Sequence, residues 1–135
     1  MTVVVRTARP EDVAAIHARL MGFGRHVGNP DWVSTTEDQL GDALFGPASR
    51  GFAYIAVVDG RIAGVALWFL TYNFWMAQPI LYLEDLFVDA EARGAGAGEA
   101  LMRALAGEAT ARGCAWMDWQ VLTDNVGGQR FYDRL

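Results

Sequence analysis

Apolar and polar residues change rhythm several times along the chain, and each change marks an element. Thr2 to Ala8 is short and β-branched and predicts a strand. Pro10 suits the first turn of a helix, followed by Glu11 and Asp12, and Val13, Ile16 and Leu20 repeat at helical spacing. Gly22 to Pro30 carries three glycines, an asparagine and a proline and reads as a loop. Thr35 or Thr36 can cap a second short helix through Leu40 and Leu44, which Gly46-Pro47 stops. Phe52 to Val58 and Ile62 to Tyr72 are apolar runs joined through Asp59-Gly60, a strong hairpin signal. Asn73 to Pro79 is an aromatic-containing turn, and Ile80 to Val88 is another strand, with Glu84-Asp85 set into it. Gly96 or Gly98 opens a helix whose Leu101, Met102, Leu105 and Ala109 share a face, and Gly113 ends it. Cys114 to Leu122 predicts a strand and Asn125 to Leu135 a last helix. The order β-α-α-β-β-β-α-β-α joins an antiparallel half to a β-α-β half, so the fold class is α/β: a mixed, largely antiparallel sheet flanked by helices.

Composition narrows the chemistry. At 135 residues and 53% hydrophobic, the chain is one domain, residues 1–135, able to bury a core. Its net charge of −5 disfavours a general nucleic-acid binder, which needs a basic face. An acidic surface suits cationic small molecules. Every basic side chain is an arginine, and the absence of lysine excludes a Walker loop, a Schiff-base lysine and a lysine general base. One cysteine, Cys114, excludes an internal disulfide framework. His17 and His26 lack a metal-ligand spacing, so no metal is expected. The N-terminus has no signal-peptide pattern and Ile62 to Leu83 is broken by polar residues and Pro79; a cytoplasmic protein without a membrane span is expected.

The stretch that carries chemistry runs from Leu81 to Gly98. A strand ends, a short loop follows, and Arg93-Gly94-Ala95-Gly96-Ala97-Gly98 leads into a helix. Alternating glycines let backbone approach a ligand, and their N–H groups join the helix N-terminus in favouring an anion such as pyrophosphate. The dinucleotide pattern Gly-x-Gly-x-x-Gly fails: from Gly94 its last position is Glu99, from Gly96 it is Leu101. What remains is the Arg-x-x-Gly-x-Gly loop of acyl-CoA enzymes.

With that loop, Thr71-Tyr72, Trp75, Leu81 to Val88, Asn125 and Phe131-Tyr132, the chain resembles the GNAT-superfamily N-acetyltransferases, most of all the spermidine/spermine (diamine) branch. The resemblance runs from Val4 to the end and is strongest from Ile62 onward. It implies acetyl-CoA as co-substrate, with pyrophosphate on Arg93, Gly94, Ala95, Gly96, Ala97 and Gly98, and further cofactor contacts at Glu99, Asn125 and Tyr132; the Glu99 carboxylate conflicts with a phosphate unless it points outward. The pantetheine arm would pair with the strand at Leu86, Phe87 and Val88. Tyr132 is the implied acid for the departing thiolate. Glu84 is tied to amine binding or water-mediated deprotonation. Tyr72, Trp75, Glu84 and Asp85 are the implied acceptor contacts.

Chemistry adds two expectations. Polarising a thioester carbonyl needs a spare backbone N–H near Leu86, which a paired interior strand lacks, so a bulge or splay at Glu84-Asp85 is expected. Glu84 and Asp85 are adjacent and should point to opposite faces. Trp68 and Phe69 are read as core or interface. Asn73 stands where the diamine branch carries an acidic residue, and Val27 beside His26 where it has an early glutamate. A long polyamine is therefore disfavoured, and the expected acceptor is a small primary amine: a diamine, polyamine or amino-acid amine with at most one extra positive charge. Direct attack in a ternary complex is expected, with Cys114 not acting as nucleophile. Family members continue past the last helix with further strands, so either truncation at Leu135 or another chain that supplies the missing edge is expected, and the resemblance implies a homodimer. A protein or peptide amine acetyltransferase and a non-catalytic acyl-CoA-binding module are the alternatives.

Overall fold

The computed structural model describes residues 2–120 and 130–131. Five strands form one sheet in chain order: β1 (Val3–Thr7), β2 (Phe52–Val58), β3 (Arg61–Asn73), β4 (Gln78–Val88) and β5 (Met117–Trp119). The first three pairings are antiparallel, and β4 with β5 is parallel. Asp59 and Gly60 both take positive φ, as a two-residue hairpin turn requires.

Helices cover both faces. Helix α3 (Ala97–Ala111) packs Leu101 and Leu105 on Ala66, Trp68, Leu81 and Leu83. Helices α1 (Val13–His26) and α2 (Glu37–Phe45) cover the other face, where Ile16 and Leu40 meet Ile55, Val65, Leu67 and Phe87. Thr36 caps α2 in a reciprocal pair with Gln39, each side chain bonded to the other's backbone N–H at 3.1 and 3.0 Å. Asp12, 4% exposed, is gripped by both Arg6 guanidinium nitrogens at 2.7 and 3.0 Å and by the Arg9 N–H, tying β1 to the start of α1.

Two expectations need correction. The predicted loop from Gly22 begins too early, because α1 continues to His26. Gly22 and Gly24 lie inside the helix. A Cβ on Gly24 would stand 2.9 Å from the Val33 side chain, so that glycine serves close packing rather than a turn. The strand expected from Cys114 begins at Met117 instead, because the Cys114 N–H is taken by the Ala109 carbonyl at the end of α3. The far end of that strand and most of the predicted last helix lie outside the described residues; Arg130 and Phe131 are helical.

Candidate active site

The site is built by one extra residue in β4. Leu67 pairs with Asp85 and Trp68 with Leu83, so Glu84 has no partner on β3: it is a bulge. Its effect is legible in the backbone. The Leu81 N–H points toward β5, donating to Trp116 at 3.2 Å, whereas the Asp89 N–H points toward β3, donating to Ala63 at 2.8 Å. These positions are an even number apart and would face the same way in a regular strand; the bulge reverses them. By the same alternation, Phe87 turns its N–H to β3, and Leu86 and Val88 turn theirs away from it. Among the described residues, pairing with β5 runs from Leu81 to Leu83. Past Glu84 the outward side of β4 carries no described strand, and its N–H groups at Leu86 and Val88 are left without a ladder. The splay expected at Glu84-Asp85 is present.

Side chains follow the same reversal. Leu81 and Leu83 face α3, and so do Leu86 and Val88, while Phe87 faces α1 and packs its ring 4.8 Å from Phe23. Asp85 shares the Phe87 face and is half-buried; Glu84 is exposed. Neither carboxylate accepts a hydrogen bond among the described residues. Burial, helped by the like charge of Glu84, pushes Asp85 up to about 6. Both line a cleft of about 2110 Å³ that also reaches Arg93, Gly94, Gly96 and Gly98.

At the far end of β4 the glycine run divides into two roles. Gly94 and Gly96 both hold φ +87 with open space where a Cβ would stand. Gly96 is the N-cap of α3, and the N–H groups of Ala97, Gly98 and Glu99 precede the first helical bond, which Ala100 makes to Gly96 at 3.0 Å. These donors, which have no helical partner, suit an anion together with Arg93. Gly98 has a different reason: a Cβ there would come within 2.8 Å of the Phe131 ring. Gly94 and Gly96 thus leave open space beside their backbone, while Gly98 allows close packing. Ala95 spends its N–H on Ala92 at 3.2 Å, and Ala97 buries its methyl in the core. Glu99 points outward to Arg103, 2.7 Å away, which removes its conflict with an anion.

Tyr72 lies near the end of β3, paired with Pro79, and Trp75 stands on the β3–β4 turn; Trp75 is 98% exposed, and neither lines the cleft. Asn73 accepts the Met76 N–H at 2.9 Å and so shapes that turn. Asn125 and Tyr132 lie outside the described residues. Trp68 is core, as expected, but Phe69 is half-exposed and lines the cleft. The sequence reading missed Arg19. From α1 it donates to Asp89 at 2.7 Å, to the Ile62 carbonyl at 3.0 Å and to Ala15 at 2.9 Å, locking the end of β4 and the start of the glycine loop.

A mixed sheet with a bulge in β4, and an anion-ready helix start a short loop beyond that strand, defines an acyl-CoA-type transferase fold. Residues 13–135 match the acetyltransferase (GNAT) family, and the chain belongs to that family. An L-ornithine N5-acetyltransferase of Arabidopsis thaliana is 32% identical over 57% of this chain and 34% of its own length. A thialysine N-epsilon-acetyltransferase of Caenorhabditis elegans is 31% identical over 76% of this chain and 62% of its own. The chain thus spans less than two thirds of either relative. Among solved structures, an integron cassette protein from the mobile metagenome of V. cholerae superposes with a TM-score of 0.78 at 25% identity, covering 99% of this chain and 84% of that one. Among the described residues no metal-binding group is assembled, and no helix is long and apolar enough to cross a membrane.

Proposed function

We propose that this chain is an acetyl-CoA-dependent N-acetyltransferase acting on a primary amine of a small molecule. The observation that carries the reading is the bulge at Glu84, which leaves the Leu86 and Val88 N–H groups without a strand partner among the described residues, in a cleft that also holds two carboxylates. When bound, acetyl-CoA supplies an activated thioester carbonyl. The residues fit it: Gly94 and Gly96 leave room for backbone contact, Arg93 and the start of α3 suit pyrophosphate, and Leu86 and Val88 offer donors along β4. The Leu86 N–H is suited to an oxygen that gains negative charge during attack.

Asp85 and Glu84 attract the acceptor as an ammonium and receive its proton, directly or through water. With Asp85 near 6, the group is ionised at neutral pH yet close enough to hold a proton in passing. The resemblance gives Tyr132 the return of a proton to the thiolate. Tyr72 and Trp75 sit outside the cleft of their own chain, so an acceptor role for them calls for a second copy, in keeping with the expected homodimer. The similarity to ornithine and thialysine acetyltransferases supports a small amine over a peptide. The test is free-thiol release from acetyl-CoA with putrescine, spermidine, ornithine, lysine and a peptide N-terminus. Release with the small amines is expected; release with the peptide alone would favour the protein-directed reading, and binding without release the non-catalytic one.

A further inference from the structure

We propose that Arg50 selects α-amino acids as acceptors by binding the carboxylate while the terminal amine lies at Glu84 and Asp85. The inference rests on the transferase reading and names the substrate class of the same cleft.

Leu67 and Asp85 pair across β3 and β4, as do Phe69 and Tyr82 on the same face, the one turned to α1 and α2. The Phe69 and Tyr82 rings touch, their centroids 5.1 Å apart. Gly51 abuts Phe69, since a Cβ on it would lie 3.6 Å from the Phe69 Cβ, and Arg50 immediately precedes it. Asp85, Tyr82, Phe69 and Arg50 thus form a row along the cleft wall, and all four line it. It has an anion at one end, an aromatic floor and a cation at the other.

Arg50 sits on a held backbone. Its N–H donates to Ala43 at 2.7 Å, and the neighbouring Ser49 hydroxyl bonds to the Leu44 and Gly51 carbonyls at 3.3 and 3.0 Å. Yet among the described residues its guanidinium has no ion-pair or hydrogen-bond partner. The other arginines of the cleft are committed elsewhere: Arg19 is bonded to Asp89, and Arg93 stands at the glycine loop.

The dimensions agree. From Gly51 across to Tyr82 is two strand spacings, about 10 Å, and Asp85 is one same-face step farther. Strand side chains stand off the sheet, so the two charged groups face each other across a span of about 12 Å, which takes an extended ornithine or lysine, about 6–7 Å from carboxylate to terminal nitrogen by bond lengths, with a polar contact at each end. The methylenes would lie on the Phe69 and Tyr82 rings. A guanidinium matches a carboxylate in bidentate geometry. The same charge repels the second ammonium of a diamine, so one residue both attracts the amino acid and rejects its decarboxylated twin.

Those twins supply the experiment. Ornithine and putrescine, or lysine and cadaverine, differ by the carboxylate alone. The intact protein should favour the amino acid in kcat/KM by tenfold or more. Arg50→Gln should lose at least tenfold on ornithine, mainly in KM, leave putrescine within about twofold or improve it, and Arg50→Lys should recover part of the loss. Calorimetric binding of ornithine and putrescine to the same proteins should rank them alike. Preference for the diamine by the intact protein, or an equal loss on both twins in Arg50→Gln, would overturn the assignment. If no amine releases thiol although acetyl-CoA binds, the transferase reading fails, and the binding ranks still decide the role of Arg50.

Discussion

Replacing Asp85 by asparagine should make the protein more stable and less active. The carboxyl is raised from its ordinary 3.8 to about 6, first by burial and then by Glu84. At 1.36 kcal/mol per pKa unit, the ionised form costs the fold about 3 kcal/mol, or about 2 after water in the cleft relaxes around it. The sign follows from the direction of the shift. Below the unfolded value both states hold the proton and no stability is lost. As pH rises from about 4 through about 6, the unfolded chain ionises more readily and stability falls. Asparagine keeps the shape and removes that dependence. Asp85→Asn should therefore match the parent near pH 4 and exceed it by about 2–3 kcal/mol at pH 8, raising Tm by roughly 5–10 °C for a domain of this size. Urea titrations at pH 4, 5, 6, 7 and 8 measure it. Because the ammonium loses one anion, kcat/KM for the amine should drop tenfold or more. A gain that is the same at pH 4 and pH 8, or no gain at all, would refute the account of Asp85 as a carboxylate held at a cost for function.

Other substitutions test separate parts. Gly96→Val puts a β-branched residue at φ +87 and should weaken acetyl-CoA binding tenfold or more by calorimetry, with the fold retained by circular dichroism. Tyr132→Phe should lower turnover about a hundredfold with acetyl-CoA affinity nearly unchanged; unchanged turnover would mean the thiolate takes its proton from water. Arg19→Ala strands Asp89 and frees the start of the glycine loop, so stability should fall by about 1–3 kcal/mol and acetyl-CoA affinity with it, Arg19→Lys recovering part of both. Asp12→Ala leaves Arg6 unpaired beside the core and should cost about 2–4 kcal/mol in urea denaturation.

What the chain spells out locally is what sequence reading reached. Asp59-Gly60, the Thr36 cap and the Gly96 helix start are short-range signals whose physics lies within a few residues. The bulge was inferable because polarising a thioester carbonyl needs a spare backbone N–H near Leu86, which a paired interior strand lacks. The extension of α1 through Gly22 and Gly24 was not, because the reason for Gly24 is Val33, a contact made only after folding. Gly98 likewise has a packing reason, the Phe131 ring, that its place in the glycine run does not reveal. Arg19 and Arg50 carried no motif. Each gains meaning only when strands distant in sequence become neighbours. Trp68 and Phe69, adjacent in β3, face opposite ways: Trp68 packs in the core under α3, and Phe69 lies on the other face against Tyr82.

Amide hydrogen exchange, resolved residue by residue with and without acetyl-CoA, tests most directly whether the bulged strand is the docking edge. The Leu86 and Val88 amides and those of Ala97 to Glu99 should exchange freely in the protein alone and slow by tenfold or more with acetyl-CoA, while Phe87, already paired to β3, changes little. Protection appearing elsewhere, with Leu86 and Val88 unmoved at saturating acetyl-CoA, would contradict the account.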